Sequence, residues 1–87
     1  MGNTLLAEGL RVRAAEYVQG YLSLENLEVW LFTNLQRILD SGIPEAIALA
    51  NVIDVGLTLL VIGETSKEDL RREIRSALGP ETVEVVA

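Results

Sequence analysis

Apolar residues recur along this chain at three- and four-residue spacing, in four blocks punctuated by glycine, proline and serine. In the first block Leu6, Leu10, Ala14, Tyr17 and Tyr21 repeat as one helix face would. That predicts a helix from about Thr4 to Gln19, with Gly20 as its stop. The second block, "SLENLEVWLFTNLQRILD", opens on Ser23, a residue suited to cap exposed backbone N–H groups. Leu22 and Leu27 stand at the two positions of a hydrophobic staple, and Leu24, Leu27, Leu31, Leu35 and Ile38 form the expected buried stripe. Gly42 ends that helix. Pro44 suits the first turn of a third, which reaches about Ile62 and stops at Gly63. Ser66, with Asp69 three residues on, opens a fourth in a capping-box arrangement. Its inner face is Leu70, Ile74, Ala77 and Leu78, and Gly79-Pro80 terminates it.

Short connections between helices imply antiparallel neighbours. The expected fold is therefore all-α, an antiparallel four-helix bundle over residues 1–79 with a C-terminal tail at 80–87. In the tail Val83, Glu84 and Val85 alternate at strand period, but a frayed end is preferred to a strand added to a partner's sheet. No internal repeat, low-complexity tract or linker interrupts the chain.

The third block departs from the pattern of the others. In "NVIDVGLTLLVIG" the polar residues Asn51, Asp54 and Thr58 fall within an arc of about 60° at 100° per residue. Nearly every other position from Ile47 to Ile62 is apolar or small. A surface helix in a small bundle shows an apolar stripe of little more than 100°, and three neighbours can hardly cover a helix this apolar. A second chain would. From Ile43 the stretch is about twenty residues long, the length of a membrane span. However, Glu45, Asn51 and Asp54 interrupt it, basic flanks are missing, and no span is expected.

Composition narrows the chemistry. The 87 residues allow one domain, which at this size buries only about 60–65% of its unfolded surface. The hydrophobic share of 49% is high for so limited a core. Cysteine and histidine are both absent, which removes the thiolate nucleophile and the commonest general base and metal ligand. The closest carboxylate pairs, Glu25 with Glu28 and Glu68 with Asp69, sit in first helical turns, where the macrodipole favours acids anyway. "GETSK" lacks the spacing of a phosphate loop. No enzymatic activity, cofactor or metal is expected. "MGNTLLAEGLRVR" lacks the basic start and apolar run of a signal peptide, so a cytoplasmic place is the default.

A net charge of −6 argues against nonspecific nucleic-acid binding. Four of the seven cations nevertheless lie in the fourth block, where Lys67, Arg71 and Arg75 repeat every four residues as one exposed ridge. Glu68, four residues before Arg72, offers that arginine a surface ion pair. The ridge suits nucleic acid or an acidic protein surface, the former as a trailing alternative. On the second helix Val29 projects among Glu25, Gln36, Asp40 and Thr33, away from the leucine stripe. Glu28 leans towards Leu35 and Leu39, with reach to solvent the preferred account. Trp30, at the flank of the stripe, is either a seal on the core edge or an interface anchor. Trp30→Ala is expected to weaken partner binding more than folding, equal losses meaning that Trp30 is core.

The runs "AEYVQGYLSLENLEVWL", "PEAIALANVIDVGLTLLVIGE" and "SKEDLRREIRSAL" follow one another in an order similar to small helical bacterial immunity proteins. These are the four-helix proteins that neutralise nuclease colicins, particularly those against tRNA-cutting toxins. The resemblance lies in helix order and punctuation and carries over no inhibitory residue. It implies a protein that presents an acidic surface to a basic toxin. The expected function is thus protein–protein binding without catalysis, in its most concrete form an immunity- or antitoxin-like protein that sequesters a basic toxin or effector. A homo-oligomeric scaffold assembling through the third helix is the alternative. The partner-binding residues expected are Val29, Trp30, Asn51, Asp54, Thr58, Arg71 and Arg75.

Overall fold

The computed structural model describes residues 2–79, with side chains from Leu5 onward. The strand-like tail pattern at Val83–Val85 lies outside those residues. Four helices follow in order: α1 (Gly2–Gln19), α2 (Leu24–Asp40), α3 (Pro44–Val61) and α4 (Lys67–Leu78). Together they make an all-α bundle.

The ends form where local chemistry asks for them. The Ser23 and Ser66 hydroxyls accept from the backbone N–H groups of Asn26 and Asp69, each at 3.1 Å, and so cap α2 and α4. Pro44 sits in the first turn of α3, which has no side-chain cap. At the other end of α1, Tyr21 N–H donates to the Glu16 carbonyl at 2.8 Å, and Gly20 N–H to Tyr17 at 3.1 Å. The same pair of bonds recurs after α3, from Glu64 to Leu59 and from Gly63 to Leu60. This closure needs a left-handed residue just past the helix, and Gly20 and Gly63 supply φ values of 88° and 81°. Helix α2 stops before Gly42. The Ser41 hydroxyl donates to the Ile38 carbonyl at 2.6 Å and accepts from Ile43 N–H at 3.2 Å, and Gly42 then makes the turn.

Helices α1 and α3 each pack against all three others, whereas α2 and α4 do not touch. The first and third helices are therefore the central pair, with α2 and α4 on opposite flanks. Small buried residues suit that close diagonal approach: Ala14 and Ala15 on α1, Ala46 and Ala50 on α3. Larger side chains fill the space around them, with Leu10, Leu27, Leu31, Ile38, Ile53, Leu70 and Ile74 fully enclosed. Among the described residues no charged side chain is buried.

The expected stripes hold with five exceptions, the first being Leu6, which is half-buried near the start of α1. Tyr21 lies beyond α1 and is exposed, so Ala15 and Val18 complete that face instead. On α2, Leu24 and Leu35 are half-buried at the edges of the stripe. Ala77 is exposed on α4, because the helix is held through Leu70, Ile74 and Leu78 and turns Ala77 to its flank.

Candidate protein-binding surface

Helix α3 is long and apolar enough to cross a membrane by length and composition, with a mean hydropathy of 1.6. Here it serves as a core helix whose buried side is Ala46, Leu49, Ala50, Ile53, Gly56 and Leu57. The opposite side is also apolar. Ala48, Val55 and Ile62 are exposed and Val52 and Leu59 half-buried, and these five follow one another at spacings of four, three, four and three residues. Such spacing lines them up in a single ridge along the helix. The exposures of Val55 and Ile62 are 56% and 63%.

Beside this ridge runs an open groove of about 550 Å³ between α3 and α4. Val52, Val55 and Leu59 form one wall, Ser76 and Ala77 the other, with Glu73 also lining it. Gly56 is central to its shape, since a Cβ there would run into the Leu70 side chain. The absent side chain brings α4 close to α3. That closeness also explains why Ala77, exposed as it is, faces the groove.

The residues expected to bind a partner are distributed around the bundle. Asn51 lines the α3–α4 groove. Thr58 is exposed, and its hydroxyl donates to the Asp54 carbonyl at 3.1 Å, folding back on its own helix. Asp54 itself is half-buried. Val29 on α2 is 65% exposed, and Phe32, one turn on, is also exposed. Trp30 turns the other way and packs on the core edge beside α1. An ideal Cβ on Gly9 would lie 3.1 Å from the indole, and the Arg13 guanidinium stands 6.0 Å from the ring centre. Val29 and Trp30 thus occupy different surfaces.

Arg71 and Arg75 are exposed on α4. The Arg71 guanidinium lies 5.2 Å from the ring centre of Tyr17, within cation–π range. Arg72 pairs with Asp69 at 3.0 Å, three residues back, in place of the expected Glu68. The residues that sequence reasoning left out of the site are Val52, Val55, Leu59 and Ala77 on the groove, and Phe32 beside Val29. The alternating four–three spacing along α3 was the available signal.

Among the described residues no three acids gather as a metal-holding group. Comparison with protein-family models, with curated proteins and with solved structures found no match to this chain.

Proposed function

We propose that this chain is a non-enzymatic protein-binding module. The observation that carries the reading is the division of its apolar side chains. Its core is built from Leu, Ile, Val, Ala and one Tyr, yet Val29 and Phe32 are left exposed on α2, Val55 midway along α3, and Val61 and Ile62 at its end. Single exposed apolar side chains need no explanation, whereas contiguous ones mark contact surfaces.

In its most concrete form the module is an acidic, immunity- or antitoxin-like protein that holds a basic toxin or effector in a bacterial cytoplasm. The net charge of −6 supports that form through long-range attraction, and the helical layout supports it by resemblance. Exposed carboxylates stand on all four helices, including Glu8, Glu25, Glu45 and Glu73. Charge therefore steers encounter, and apolar burial around Val29 and Phe32 supplies the contact.

The test is calorimetric titration of the purified chain against any basic product encoded by a neighbouring reading frame. Binding that weakens with salt, and by about tenfold or more in V29E/F32E, supports this form. Absence of such a product, or of binding to it, removes it. Self-association through α3 is the second reading, favoured by the outward ridge. A nucleic-acid role has the least support, since Arg71 is engaged by Tyr17 and Arg72 by Asp69. A shift of duplex or single-stranded nucleic acid at low salt would revive it.

A further inference from the structure

We infer that the outer ridge of α3 is a pairing seam for a second copy of this chain, laid antiparallel across a two-fold axis near Val55. The inference rests on the protein-binding reading and names the occupant of one face. Its first support is the spacing. Ala48, Val52, Val55, Leu59 and Ile62 take alternate d and a positions of a heptad, the pattern by which one helix receives the side chains of another. The core of the bundle already uses the opposite side of α3. The helix therefore carries two apolar rows, and among the described residues the outer one is covered only where Val52 leans against the core.

Charge decides which partner fits. Two copies of a chain of net charge −6 repel unless their contact surface is free of carboxylates. Between Glu45 and Glu64 the only charge on α3 is Asp54, which projects about 120° round the helix from the ridge. The ridge is flanked by Asn51 and Thr58, both exposed and uncharged. Glu73 borders the groove from α4 and is exposed to solvent. A basic partner would be better met by flanking acids. A lipid surface would need lysine or arginine along the polar flank, and α3 has neither.

Orientation follows from the same inventory. Glu45 stands at the next a position before Ala48, so parallel pairing would press two Glu45 carboxylates together. In the antiparallel arrangement Ala48 faces Ile62 of the other copy, and Asn51 lies near its Thr58. From Ala48 to Ile62 the ridge is about 21 Å long, and with the α4 wall the face is about two helices wide, near 20 Å. That footprint, about 420 Å², is roughly half of the about 800 Å² per partner that standard interfaces bury, which suits a weak dimer formed at high micromolar concentration.

Sedimentation equilibrium of the full chain at high micromolar concentration tests the pairing. The expected result is a dimer for the natural chain and for V29E/F32E, and a monomer for V55E/I62E with unchanged helical circular dichroism. A monomeric natural chain overturns the seam while leaving binding to another protein intact. A dimer lost in V29E/F32E but kept in V55E/I62E moves self-association to α2 and also overturns it. Orientation is read by disulfide capture, which is clean because the chain has no cysteine. V55C should cross-link to itself, and A48C should link to I62C but not to A48C. Self-linking of A48C would overturn the antiparallel arrangement.

Discussion

Leu70 of α4 occupies the space that a Cβ on Gly56 of α3 would fill. Leu70 is fully buried, so admitting a Cβ at Gly56 means shifting a side chain inside the core. Gly56→Ala adds helix propensity worth about 1 kcal/mol, but overpacking at an enclosed side chain costs about 1–3 kcal/mol. Net destabilisation is expected. Leu70→Ala alone should cost about 2–5 kcal/mol, because it leaves a cavity. The double variant should be more stable than the two losses added together, since the new methyl enters the space that Leu70 vacates. Denaturant unfolding of all four proteins measures that coupling; strict additivity would mean the two residues do not compete for volume.

Gly9 and Trp30 form the contrasting contact. The indole is half-buried and can tilt outward by the few tenths of an ångström that a Gly9 Cβ would require. Gly9→Ala is therefore expected to be neutral to within about 0.5 kcal/mol, its propensity gain offset by the displaced ring. Trp30→Ala should cost folding about 2 kcal/mol, below the loss for a fully enclosed aromatic. Thermal unfolding by circular dichroism measures both. A Trp30→Ala protein as stable as the natural chain would return Trp30 to the role of interface anchor.

Among the described residues the buried Tyr17 hydroxyl has no hydrogen-bond partner, in a residue only 3% exposed. A buried polar group left unpaired costs about 1–3 kcal/mol, and its removal with the ring retained leaves the packing in place. Tyr17→Phe is expected to raise the thermal midpoint, by an amount equivalent to about 1 kcal/mol. The Arg71 contact survives the change because it is made to the ring. A lower midpoint would show that the hydroxyl has a partner in solution.

Punctuation made the helices legible in the sequence. Ser23, Pro44 and Ser66 mark starts, Gly20 and Gly63 mark stops, and the structure puts each where its backbone chemistry predicts. The buried stripes of α2 and α4 are readable because mostly polar residues fill their other sides, Val29, Phe32 and Leu39 on α2 being the exceptions. The excess apolar surface of α3 is readable as well, and so is the four–three spacing of its rows, but not which row turns inward. That depends on which neighbours α3 meets, and residue spacing within one helix does not report them. Trp30 and Val29 illustrate the same limit. They are adjacent in sequence, yet a turn of about 100° puts one against α1 and the other in solvent. Ala77 looked like core by spacing and became a groove wall because Gly56 draws α4 into contact at Leu70.

Helix α4 gives the most local prediction. At 12 residues it is too short to hold its own conformation in water and depends on Leu70, Ile74 and Leu78 packing inward and on the Ser66 cap. Ser66→Ala removes the acceptor for Asp69 N–H and should cost about 1 kcal/mol. Ser23→Ala removes the equivalent bond on α2, a helix of 17 residues packed against both α1 and α3. The two losses should be similar in global stability but different in reach. Amide exchange in Ser66→Ala should accelerate along the first turns of α4, whereas in Ser23→Ala it should stay confined to the start of α2. Equal spread of the effect along both helices would mean that α4 is held by more than its three inward side chains and its cap.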